Sequence, residues 1–71
     1  MKAPETYQGK TLAYEETFRS PFVRPTEESA RRVLDEIRSC HSSAYGWLEL
    51  DARIEPKDGG FVAVRHHAQY K

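Results

Sequence analysis

The chain predicts an α+β fold: a three-stranded antiparallel sheet in the order β-α-β-β, with one helix packed on one face. Three observations carry this. Residues 26–41 place apolar side chains at helical spacing, and residues 11–18, 46–55 and 61–70 alternate with a period of two. Between the last two stretches lies Pro56-Lys-Asp-Gly-Gly60, a cluster of turn residues. With 71 residues the chain has room for one small domain, 1–71.

Residues 1–10 are polar and contain Pro4 and Gly9, so they read as a flexible N-terminal arm. The segment from Thr11 to Phe18 places Leu12, Tyr14 and Phe18 on one side of a strand and Ala13, Glu15 and Thr17 on the other. Glu16 interrupts its apolar side, which suits an edge strand. Ser20-Pro-Phe-Val-Arg-Pro25 holds two prolines four apart and predicts an extended connector. Its P-x-x-x-P spacing is not that of a P-x-x-P ligand.

The helix is predicted over 26–41. Thr26 is a good N-cap, and Glu27 and Glu28 suit the positive end of the helix dipole. Ala30, Val33, Leu34, Ile37 and Cys40 form an apolar stripe, with Leu34 and Ile37 expected against the sheet. Arg38 and His41 suit the last turn, and Ser42, Ser43 and Gly46 end it.

Register fixes the faces of the closing hairpin. Leu48, Leu50, Ala52 and Ile54 alternate in one strand; Val62, Val64, His66, Ala68 and Tyr70 alternate in the other. Directly opposed residues share a face, so the two apolar sets pair only if the loop has an odd number of residues. A three-residue loop with Gly59 or Gly60 in the left-handed region meets this. The helix should then cover those apolar sets. The opposite, outer face should carry Trp47, Glu49, Asp51, Arg53, Phe61, Ala63, Arg65, His67 and Gln69. The Phe61–Tyr70 strand, the most apolar β-branched run, is expected between the other two.

Composition narrows the function. Eleven basic and eleven acidic side chains give zero formal net charge, spread evenly along the chain. There is no basic stripe for phosphates, which argues against nucleic acid as a partner, including single-stranded RNA on the aromatic sheet face. No 18-residue apolar run offers a membrane span, and Met1–Lys10 lacks an apolar core of the signal-peptide kind. With a single cysteine, Cys40, this gives a cytoplasmic expectation. Leu, Ile, Val and Phe supply only 13 residues, so the core is marginal and self-association is a plausible source of further burial.

Catalytic and metal sites find little support. His66 and His67 are adjacent on a strand and point to opposite faces; Cys40 and His41 are adjacent on a helix, about 100° apart. Neither arrangement has zinc-ligand spacing. Cys40 sits on the apolar stripe, where a free thiol packs as a small hydrophobe. No phosphate loop, nucleophile elbow or positioned carboxylate pair occurs. The reading is therefore a non-enzyme with no catalytic residues, no metal and no cofactor. The candidate surface is Trp47 and Phe61 with Arg53, Arg65 and Gln69, residue types that anchor protein interfaces or stack planar ligands. Its expected partner is a second copy or another protein.

The β-α-β-β order, the segment Trp47-Leu-Glu-Leu50 opening the second strand, and Asp58-Gly59 before the third resemble the dodecins, small flavin-binding proteins that form hollow dodecamers. The resemblance covers about the last two-thirds of the chain. It implies that Trp47 would stack on a flavin. The family's flavin-bonding Gln would fall on Arg65, a departure, and Gln69 lies four residues later. The Ser42-Ser43-Ala44-Tyr45 junction also differs, and the span from helix to Trp is shorter. Flavin binding is the alternative to a self-associating or protein-interaction module.

Overall fold

The computed structural model describes residues 2–71. Its elements are β1 (Thr6–Tyr7), β2 (Lys10–Arg19), α1 (Glu27–Cys40), a 3₁₀ turn (Ser43–Tyr45), β3 (Trp47–Lys57) and β4 (Gly60–Tyr70). The class is α+β with one helix and an antiparallel sheet, but the sheet has four strands, in the order β1-β2-β4-β3. The extra strand comes from the N-terminal arm. Gln8 and Gly9 both take positive φ and fold Thr6 and Tyr7 back onto Thr11 and Lys10. As expected, the strand at Gly60–Tyr70 lies between the other two long strands.

Local signals set the helix. Thr26 Oγ1 accepts from the Ser29 N–H at 3.1 Å, and Ser29 Oγ accepts from the Thr26 N–H at 3.2 Å, a reciprocal capping box. At the other end the His41 N–H donates to the Ile37 carbonyl at 2.8 Å. Ala30 and Leu34 are buried, and Ile37 is half-buried. Cys40 is exposed, contrary to its expected place as a buried hydrophobe. The reason is placement: α1 lies over β4 with a smaller overlap on β3, and leaves β2 almost uncovered. The side of its last turn nearest β2 therefore overlooks a gap.

The register differs from expectation, and the face assignment changes with it. Lys57 pairs with Gly60, so the turn has two residues, Asp58 and Gly59, both at positive φ. Two-residue hairpin turns of this kind match the twist of the strands, which is why Asp-Gly favours them over a three-residue loop. Ile54 consequently faces Ala63, not Val62 or Val64. A bulge at Leu50 then shifts the phase, so that Trp47, Leu48 and Glu49 face Gln69, Ala68 and His67. Leu48 and Ile54, expected on one face, lie on opposite faces.

Helix contacts identify the covered face. His41 stacks on Trp47, Arg38 bonds Glu49, and Ile37, Cys40 and His41 share a cleft with Glu16, Phe18 and His67. The helix therefore covers the face of Trp47, Glu49, Ala52, Ile54, Ala63, Arg65 and His67, much of what was expected to be the outer face. The apolar face expected beneath it is covered otherwise. Ala68 and Tyr70 pack with Ala3 of the arm, joined by Tyr7, Leu12, Leu48 and Leu50. Tyr70 donates its hydroxyl to the Pro4 carbonyl at 2.7 Å. Val62 and Val64 lie between Glu55 and Arg53 on β3 and Arg19 on β2. Arg19 and Glu55 pair at 2.8 Å across β4, and Arg53 binds Glu55 and Asp51 at 2.6 Å each. These long side chains shield both valines, which are at most 4% exposed.

Candidate functional site

The densest arrangement of polar and aromatic groups lies where the helix ends over the sheet. The chain emerges from α1 at His41, passes the 3₁₀ turn and reaches Trp47 through Gly46. Gly46 takes φ 86°, and a side chain there would collide with the Tyr70 carbonyl, so only glycine fits this corner. The short connection brings His41 flat against the Trp47 indole, with ring centres 3.8 Å apart and planes 8° from parallel. His67 meets both rings nearly at right angles, at 5.2 and 5.3 Å, and Tyr14 meets Trp47 edge-on at 6.1 Å.

Charges interlock beneath these rings. His67 is 1% exposed and its Nε2 lies 2.9 Å from Glu16 Oε1. Glu16, which interrupts the apolar alternation of its strand, is thus the partner of a buried histidine. Nδ1 of His67 is buried with no partner among the described residues. Arg65, 2% exposed, donates from a terminal nitrogen to His41 Nδ1 at 3.3 Å. An arginine has only donors, so Nδ1 of His41 must be the unprotonated nitrogen. Arg65 Nε sits 3.1 Å from Glu49 Oε1, close enough for charge pairing without hydrogen-bond alignment. Arg38 completes the set with a fork onto Glu49 at 2.9 and 3.0 Å.

Each shift in proton affinity follows from this geometry. Burial, then the nearby His67 and Arg65 charges, lower His41 below the ordinary histidine value, with Glu16 opposing. The Arg38 fork holds Glu49 below the ordinary carboxylate value, aided by Arg65. Burial lowers Arg65, and Glu49 opposes it, so the guanidinium remains charged.

The five residues singled out from sequence do not form one surface. Trp47, Phe61, Arg65 and Gln69 lie on the helix side, and Arg53 lies on the other. Of the four, Arg65 is buried and the other three are half-buried. His66, expected on the face beneath the helix, lies on the face away from it. There it bonds Glu15 at 2.8 Å and Thr17 at 2.9 Å. The histidine beneath the helix terminus is His67. Sequence reasoning missed Glu16, Glu49, Arg38 and His41 as members of the cluster. The available signal was Glu16 itself, a carboxylate among apolar positions that calls for a buried partner.

Beside the cluster, between α1 and β2, runs a cleft of about 350 Å³ lined by Glu16, Phe18, Glu36, Ile37, Cys40, His41 and His67. It exists because the helix leaves β2 uncovered. Among the described residues no three His, Cys, Asp or Glu side chains converge to hold a metal ion, and no helix is long and apolar enough to cross a membrane. Comparison with protein-family models, with curated proteins and with solved structures finds no match for this chain.

Proposed function

We infer that the chain is a non-enzymatic, self-associating interaction module. The observation that carries this is the shape of the monomer. Its radius of gyration is 13.2 Å and its extents are 42 × 21 × 14 Å. A compact domain of this length would have a radius of gyration of about 11 Å. Among the described residues, eight hydrophobic side chains are buried, and four of them are alanines. A slab with so few large buried side chains gains stability by covering its exposed apolar surface, which includes Tyr14 and the half-buried walls of the cleft.

The flavin-binding alternative has less support. His41 already occupies one face of the Trp47 indole, and Tyr14 and His67 make perpendicular contacts with it, so a planar ligand would find that face taken. The test of the main reading is mass in solution by light scattering over a concentration series. A mass rising to a multiple of the 8.2 kDa chain is expected. A constant monomer mass up to about 1 mM, beyond which association is too weak to matter, would overturn it. Riboflavin titration of Trp47 fluorescence decides the alternative; stoichiometric quenching would favour it.

A further inference from the structure

We propose that the second copy docks through the free edge of β2, making an antiparallel β2–β2 ribbon with its two-fold axis at Thr17; this rests on the self-association reading above. Main-chain direction selects the strand. The Ser20 N–H donates to the Ala63 carbonyl at 3.0 Å, and hydrogen-bonded pairs recur every second residue along antiparallel strands. Phe18, Glu16 and Tyr14 therefore turn their main-chain groups toward β4, and Glu15, Thr17 and Arg19 turn theirs outward. β1 covers only the far end of this edge, through Thr11 and Lys10 and the Leu12 N–H, which donates to the Glu5 carbonyl at 2.9 Å.

The other edge of the sheet is blunted. Counting back from the Lys57–Gly60 pair that closes the turn, the outward main-chain groups of β3 belong to Ala52, Ile54 and Pro56. Pro56 has no N–H, and the bulge at Leu50 breaks the edge on the other side. The outward run of β2 from Glu15 to Arg19 has neither interruption.

Charge selects the register. Pairing requires outward groups to meet outward groups, so a symmetric ribbon can be centred on Glu15, Glu16, Thr17 or Phe18. Centring on Glu15 or Glu16 sets each glutamate against its own copy, and centring on Phe18 sets Glu15 against Pro21, which has no N–H to give. Centring on Thr17 sets Glu15 against the partner's Arg19 twice, with the threonines paired at the axis. An axis perpendicular to the sheet keeps both helices on one side. With strands about 4.8 Å apart, the helices over the two β4 strands lie roughly 14 Å from each other. That exceeds the ~8–10 Å of direct helix packing, and Phe18 and Ile37 from both copies fill the difference.

Sedimentation velocity on the full chain and four variants tests this. Thr17→Pro removes an outward N–H and spares the β4 ladder; Ile54→Pro does the same on β3 as a control. The wild type is expected as a dimer. Thr17→Pro and Glu15→Arg should each weaken it about tenfold or more, the first through the two hydrogen bonds lost at the axis and the second through two like-charge contacts. The double variant Glu15→Arg with Arg19→Glu should restore dimerisation, and Ile54→Pro should leave it unchanged. Circular dichroism checks each fold; if Thr17→Pro fails to fold, the Glu15→Arg pair decides. A wild-type dimer insensitive to Glu15→Arg, or lost in Ile54→Pro, overturns the β2 interface while self-association stands. A monomeric wild type overturns both.

Discussion

On the helix side of β4 the side chains are Phe61, Ala63, Arg65, His67 and Gln69; on the other side they are Val62, Val64, His66, Ala68 and Tyr70. The helix lies over the more polar set. It reaches that set through specific contacts at its last turn: His41 with Arg65 and the His67 ring, and Arg38 with Glu49, which in turn lies beside Arg65. The more apolar set is covered by an ion-pair lattice over Val62 and Val64 and by the arm over Ala68 and Tyr70. A helix in so small a domain is therefore not bound to the greasiest face. A buried arginine and histidine need a structure that supplies paired charges and rings, while valines need only exclusion of water, which long charged side chains provide.

The two faces should answer differently to perturbation. The largest expected effect is on the helix side. Leu34→Ala removes the largest apolar side chain that α1 buries and should cost about 2–5 kcal/mol, measured by urea unfolding. A loss as small as that of a surface substitution would show the helix is not held by its stripe. On the arm side, Tyr70→Phe removes one hydrogen bond to Pro4 and should cost about 0.5–1.5 kcal/mol. Its signature is local: faster amide exchange at Leu12, whose N–H is held by the Glu5 carbonyl, with little change at Leu34. Equal acceleration at both sites would merge the two faces into one cooperative unit.

A smaller effect tests the lattice. Glu55→Gln weakens the pairs with Arg19 and Arg53, which are largely solvent-exposed, and should lower the urea midpoint only slightly, and by less at high salt. The smallest is a slope with pH on the helix side. The His41 affinity for protons is lower folded than unfolded, so the unfolded chain binds more protons and stability rises with pH. That stability is complete above the ordinary histidine value of about 6.5 and declines as pH falls through it. Protonation would also place a proton on His41 Nδ1, against the Arg65 donor. Trp47 is the single tryptophan, so its emission should change over the same range. The response should vanish in His41→Gln, and a response that survives this change would assign the slope to another group.

The helix, its cap at Thr26 and its stripe as far as Ile37 are legible in the sequence, because capping and 3.6-residue periodicity are settled within a few residues of chain. The sequence also determined that a hairpin closes the fold and that its second strand is central, since that strand is the most apolar. The tertiary structure alone decided which face the helix covers. That choice turns on the parity of pairing, which the two-residue turn at Asp58-Gly59 and the bulge at Leu50 reset by one residue each way. A bulge leaves a run of Leu48, Leu50, Ala52 and Ile54 looking like one unbroken alternation. Its stabilisation comes from Ala3, Ala68 and Tyr70 on one side and from the helix on the other, residues remote in sequence. The candidate site has the same origin. Trp47 and Arg65 were legible as candidates, but Glu16, Glu49 and His41 acquire their roles only when three strands and a helix end converge.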